Sequence, residues 1–313
     1  MIQPPRKLLN AEQQAKLLEF RGQIDALDDK IIDLLIERIG IVSQVGEMKR
    51  GVNATQCPLR PGREADMVRR IAKKFEGTDF SPAAAAAIWR ILIGASTAVE
   101  GALKISVYAP ETDENLYWIA REYFGGFLNI TKQPQIRRVI GDVMDGKASV
   151  GIVPNFTYTG DDQWWTSLLQ RGQDIPSIFA HVPFVYYETP GRHSPSALAI
   201  GHITPECTEE DVSIIVLDTE YNVSQHRLQT AFTQANLQAQ WLSIANLSTQ
   251  SRHHLIELKG FVDSNHAGMK LFLANLGNAV MNHYFLGSYA VPFTLTFGKQ
   301  KEKQTVFHAT KSS

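Results

Sequence analysis

The feature that most constrains this chain is a run of apolar residues between Ala11 and Arg50. Leu17, Phe20, Ile24, Leu27, Ile31, Leu34, Ile41, Val45 and Met48 recur at alternating three- and four-residue steps. That is the seam of a long helix packed lengthwise on another helix. A helix of about 40 residues rises about 60 Å, longer than a compact domain of this size needs, which points to packing along a partner chain. One step of the seam is filled by Arg38 instead. Lys49 lies eleven residues further on, about three turns and about 20° out of phase, so both cations project from one face. Two basic side chains aimed into one crevice repel each other unless an anion lies between them.

Further polar residues follow on shorter helices. "GVNATQCPLRPG" (51–62) breaks the long helix with Gly and Pro, and "READMVRRIAKKF" then reads as a second helix. "SPAAAAAIWRILIGASTAVEGALK" reads as a third, with Ser81 as N-cap and Pro82 at the first helical position. Arg63 and Glu64 open the second helix. Ser96 and Glu100 stand one turn apart on the third, on a face shared with Trp89 and Ile93. Arg21 lies roughly 100° round the first helix from Arg38 and is placed to serve a neighbouring chain.

After Lys104 the texture changes. "KISVYAP" and "ASVGIVP" are β-branched runs, with helical patterns "ENLYWIAREYFG" and "QIRRVIGDVMDG" between them, an α/β alternation. From about Glu209 the predicted order is strand, helix, strand, strand, helix, close to a ferredoxin-like α+β sandwich.

The remaining composition mostly excludes. A net charge of -1 over 313 residues argues against a general nucleic-acid or membrane-surface binder. Two cysteines, Cys57 and Cys207, give neither a disulfide framework nor zinc spacing. The start, "MIQPPRKLLNAEQQAKLL", has no signal pattern, and no apolar run is read as reaching the roughly 18 residues of a membrane span. The expectation is a cytoplasmic protein without metal or cofactor. His253 and His254 lack ligand spacing, and "GKQKEKQTVFHATKSS" reads as a tail.

"FRGQIDALDDKIIDLLIERIGIVSQVGEMK", then "RE", then "WRILIGASTAVE" resembles the all-helical chorismate mutases over about residues 10–104. The resemblance implies an entwined homodimer through the long N-terminal helix, with Arg21 contributed by the second subunit. It implies that Arg38 and Lys49 hold one carboxylate and the ether oxygen of chorismate, that Glu64 takes the ring hydroxyl, and that Arg63 belongs to the same pocket. Ser96 and Glu100 would contribute from the third helix, with Glu100 as the second contact to the ether oxygen. Chorismate to prephenate, a step of aromatic amino-acid and so of phenylalanine biosynthesis, is a unimolecular rearrangement that needs no nucleophile, metal or cofactor. What helps is a dianion held in its compact conformer, with positive charge where the breaking ether bond gains electron density. Arg suits planar carboxylate binding and Lys a single oxygen.

Two positions depart from the family. Arg60 stands where many relatives carry an acidic residue. Glu100 stands where some carry Gln, and must be protonated to donate a hydrogen bond to the ether oxygen.

The rest resembles the second half of bifunctional mutase–prephenate dehydratases. "EGALKISVYAPETDENLYWIAREYFGG" looks like the junction of such enzymes, and "VMDGKASVGIVPNFTYTGDDQWWTSLL" like the stretch that follows. "FVD" (261–263) and "LGSY" (286–289) resemble the end of an ACT regulatory domain. The dehydratase motifs do not carry over: "SPSALAIG" lies where the Thr-Arg-Phe motif belongs, and most of a second lobe is missing. Thr157, Tyr158 and Thr159 are hydroxyl-bearing but read as a turn.

The expected architecture is therefore multidomain. It has all-α mutase helices (1–104), a shortened α/β dehydratase-like region (105–205), an α+β ACT-like domain (206–295) and a tail (296–313). The expected function is chorismate mutase with a non-catalytic C-terminal region. The alternatives are a bifunctional mutase–dehydratase and a non-catalytic metabolite-binding protein.

Overall fold

The structure, a computed structural model, describes residues 9–52, 57–101, 103–156, 163–169, 175–187, 195–246 and 251–296. Thr157, Tyr158, Thr159 and the expected tail from Phe297 on lie outside them. The chain forms two compact units, residues 1–56 with 99–101, and residues 57–98 with 102–313.

The first unit is built on α1 (Ala11–Val52). Its start is a reciprocal cap: Gln13 N donates to Asn10 Oδ1 at 2.8 Å, and Asn10 N to Gln13 Oε1 at 3.1 Å. The expected seam is real and uncovered. Leu17, Phe20, Ile24, Leu27, Ile31, Leu34, Ile41, Val45 and Met48 are 38–73% exposed.

The second unit holds α2 (Pro61–Phe75) and all but the last residues of α3 (Pro82–Glu100). Pro82 opens α3 as expected, but the Ser81 hydroxyl is buried without a hydrogen-bond partner and caps nothing. Only the Ser81 carbonyl takes part, accepting from Ala85 N at 3.0 Å. By length and composition alone α3 could cross a membrane, contrary to the sequence expectation, although 44% of its apolar window is buried in the protein. It packs through Ala86 and Ile93 in a cluster with Ala65, Val68, Phe184 and Val185.

A βαβαβ run follows: β1 (Lys104–Tyr108), α4 (Asn115–Phe124), β2 (Asn129–Gln133), α5 (Ile136–Met144) and β3 (Val150–Pro154). β1 pairs in parallel with both β2 and β3. Leu116, Ile119, Ala120 and Phe124 of α4 cover one face, and Ile136, Val139, Ile140 and Val143 of α5 the other. β4 (Ser177–Val182), β5 (Val185–Tyr187) and β6 (Ala197–Gly201) come next, with β6 antiparallel to both β3 and β4.

The C-terminal part reads β7 (Asp211–Glu220), α6 (Gln225–Gln234), β8 (Ala239–Ala245), β9 (Ser251–Lys259), α7 (Ala267–Leu276) and β10 (Val280–Ala290). β10 completes the ferredoxin-like βαββαβ pattern, with strands in the order β10-β7-β9-β8. The α6 and α7 side chains Leu228, Phe232, Met269 and Phe272 fill its core.

A nine-stranded sheet runs through the second unit: β2-β1-β3-β6-β4-β10-β7-β9-β8. The join is β4 to β10, where Ile178 pairs with Gly287. Gly287 has φ +141°, and a Cβ there would meet Ile178 O at 1.9 Å, so only glycine lets the strands close. The compact units therefore cut across the expected boundaries at 104 and 205. β11 (Phe293–Leu295) pairs with β5 in a separate two-stranded sheet beside α2 and α3.

Candidate active site of the N-terminal helices

Within the first unit, α1 carries Arg21, Arg38 and Lys49, and the end of α3 brings Glu100. Lys49 Nζ lies 2.5 Å from Glu100 Oε2. The two side chains are 34% and 17% exposed, so water screens this pair only in part. Arg38 is half-buried, and Arg21 is exposed on the helix surface. Glu100 Oε2 therefore faces Lys49.

The other predicted residues lie in the second unit. Glu64 is buried, and its Oε2 accepts from Arg90 Nη1 at 3.2 Å. Its Oε1 has a longer bond, 3.4 Å, from Arg60 N. Ser96 is buried on α3, where its hydroxyl donates to Leu92 O at 2.6 Å. Arg63 is exposed and lines a different cavity of about 500 Å³, with Arg60, Arg70 and Glu206. Adjacent helical positions point about 100° apart, so Arg63 and Glu64 face different surroundings rather than one pocket.

Arg90 is the residue that sequence reasoning missed. Its Nη2 donates to Tyr123 O at 3.2 Å, and its guanidinium lies 4.0 Å from the Tyr123 ring centroid. Burial opposes its charge, but Tyr123 and Glu64 outweigh that and hold its pKa above the ordinary arginine value. Burial also pushes the Tyr123 hydroxyl up. The available signal was an arginine inside "AAIWRILIG", since a buried guanidinium needs an acidic partner. Arg90 also lines a cavity of about 770 Å³ with Trp118, Phe184, Tyr186 and Tyr187, which no predicted site residue reaches.

The end of the α/β sheet carries a further polar cluster. His181 on β4 is buried, and its Nδ1 donates to Pro183 O at 3.1 Å. Its Nε2 is then an acceptor for Asn155 Nδ2 at 3.3 Å, and Asn155 also donates to Ser196 Oγ at 3.1 Å. Burial lowers the His181 pKa and raises that of Tyr186. Both imidazole nitrogens are used and the ring is neutral.

Residues 20–101 match the family described as "Chorismate mutase type II". The matched residues run from within α1 to the end of α3. Over 140 residues the chain is 30% identical to a bifunctional chorismate mutase/prephenate dehydratase of Aquifex aeolicus, covering 44% of this chain and 38% of that protein. Over 144 residues it is 28% identical to a protein of the same description from Pseudomonas aeruginosa, covering 45% and 39%. The chain thus matches about two fifths of the length of these curated relatives. Among solved structures, prephenate dehydratase from Streptococcus mutans aligns with 61% of this chain and 99% of its own, at 15% identity and a TM-score of 0.43.

Proposed function

We propose that the protein is a chorismate mutase acting as a homodimer. The observation that carries this reading is the Lys49–Glu100 pair, which joins α1 to α3 inside the matched residues. A lysine facing a carboxylate across two helices is a ready electrostatic site for a small anion that takes the lysine over. In this reading Arg38 and Lys49 hold one carboxylate and the ether oxygen, and Glu100 takes the second contact to that oxygen once it is protonated. Glu64 keeps lone pairs beyond its bond to Arg90, enough to accept from a ring hydroxyl. Ser96 packs the α3 face, and Arg63 contributes charge only from the separate cavity it shares with Arg60 and Arg70. Arg21 serves the neighbouring subunit, and the uncovered seam of α1 is what that subunit covers. The chemistry is conformational selection of a dianion plus charge stabilisation at the ether oxygen.

The second reading is a bifunctional enzyme, favoured by the descriptions of the Aquifex and Pseudomonas relatives. Against it stands the polar cluster at the sheet end: dehydration needs a proton donor held against the leaving hydroxyl, and the His181 Nδ1–H is engaged in donating to Pro183 O. We place the C-terminal region in assembly and stability, in a cytoplasmic protein without membrane or nucleic-acid partners. The third reading is a non-catalytic metabolite binder, which would use the same charged groups without turnover.

Purified protein given chorismate separates the readings when chorismate loss and phenylpyruvate formation are followed under an acid-free quench. Loss without phenylpyruvate supports the proposal, both together the bifunctional reading, and neither the binder.

A further inference from the structure

Helix α2 begins without a cap of its own. Arg60 stands at the N-cap with φ -127° and ψ 75° and makes no side-chain cap bond. A guanidinium has five donors and no acceptor, so it cannot take an orphan N–H of the first turn. The acceptor comes from elsewhere. Glu206, on the segment between β6 and β7, takes the Arg63 N–H on Oε2 at 3.3 Å and the Arg60 Nε–H on Oε1. Arg63 is the third residue of α2, the donor that an N-cap side chain normally satisfies. Gly62 makes the approach possible, because a Cβ there would stand 2.6 Å from Glu206 Cβ. A carboxylate at this end of a helix is also favoured by the helix dipole.

A second clamp holds the same helix two turns on. Arg69 donates from Nη1 to Thr208 Oγ1 at 3.0 Å, and from Nη2 to Glu210 O at 3.0 Å and Val291 O at 3.1 Å. Thr208 is itself fixed by its hydroxyl donating to Asp211 Oδ1 at 2.7 Å. α2 lies within residues 20–101, whereas Glu206, Thr208, Glu210 and Val291 all lie beyond them.

We propose that Glu206 is the N-cap of α2, a positioning residue lent by the C-terminal region, and that it sets the first turn carrying Arg63 and Glu64. The capping role stands on geometry alone; its effect on turnover rests on the mutase reading. Arg60 recruits Glu206 instead of capping, so the mutase helix depends on a residue about 140 positions away in sequence.

The test uses full-length chains and two readouts, amide exchange of residues 62–65 and steady-state kinetics with chorismate. Glu206→Ala is expected to speed exchange about fivefold, the factor one cap represents, and to raise KM about fivefold with kcat within about twofold. Adding Arg60→Asp to Glu206→Ala gives α2 its own capping oxygen and restores both. Glu206→Gln keeps an acceptor for Arg63 N–H and holds exchange within about twofold of wild type; it stands in if Glu206→Ala fails to fold. Unchanged exchange in Glu206→Ala, or no recovery in the double variant, overturns the cap. A lower KM overturns positioning in favour of a resident anion that competes with substrate. If the wild-type protein leaves chorismate untouched, the mutase reading falls while exchange still decides the cap.

Discussion

Lys49 and Glu100 lie 2.5 Å apart, a cation and an anion each half-withdrawn from water where α1 meets the end of α3. The pair occupies the lysine that the proposed reaction needs. Glu100→Gln removes the competing carboxylate charge, supplies an amide donor and is expected to raise kcat/KM above wild type. Lys49→Ala is expected to lower kcat/KM by about 10²–10³, the scale for losing one donor at a developing oxyanion. Initial rates with chorismate for both variants decide this, and a kcat/KM for Glu100→Gln no higher than wild type removes Glu100 from the role.

The uncovered seam of α1 sets a second prediction. Ile31→Asp puts a charge in the middle of nine exposed apolar positions and should convert a dimer to monomer at micromolar concentration, read by sedimentation. Arg21→Ala and Arg38→Ala chains, each inactive alone, should regain activity when mixed. Verified heterodimers without recovery would separate Arg21 from the shared site.

Arg90 and Glu64 form a buried pair, so removing one partner strands the other. Arg90→Met should destabilise the protein by about 3 kcal/mol, seen as a lower urea midpoint at constant slope. Glu64→Gln in the same chain should recover a substantial part of that loss. A loss below about 1 kcal/mol for Arg90→Met would mean that solvent reaches the Glu64 carboxylate.

His254 is fully buried, with Trp241 Nε1 donating to Nδ1 at 3.3 Å and Thr219 Oγ1 3.2 Å from Nε2. Burial, with Arg252 and His253, pushes its pKa down to about 4. The unfolded chain therefore binds a proton that the folded chain refuses between about pH 6.5 and pH 4. Stability is fully present above that window and falls as pH drops through it, by about 2–3 kcal/mol from this residue. His254→Gln should flatten the fall, measured by urea unfolding at pH 7 and pH 4.5; an equally steep loss would place its origin elsewhere.

Much of the framework was legible because it depends on local periodicity. The three-and-four spacing of α1, Pro82 at the start of α3 and the alternation through β3 all appear where the sequence placed them. The cations on α1 were legible for the same reason, since Arg38 breaks a regular seam. What stayed hidden depends on partners far along the chain. β10 mixes polar and aromatic residues in "VMNHYFLGSYA", and its place beside β4 follows from one glycine opposite Ile178. Glu64 also pairs with Arg90, and nothing local to either residue announces the pair. The Arg69 clamp on α2 runs from a side chain to backbone carbonyls such as Val291 O, which no sequence pattern encodes.

The position of β10 has a consequence for how this chain reaches its native state. The last long strand in sequence is a central strand in space, flanked by β4 on one side and β7 on the other. During synthesis the β1–β6 portion can form its crossovers but exposes the bare edge of β4 until residue 290 has left the ribosome. Completion of the sheet is thus a late, non-local event, and nascent chains are most open to edge-to-edge association just before it. A chain shortened before Gly287 would lose not a terminal ornament but the strand that joins its two halves.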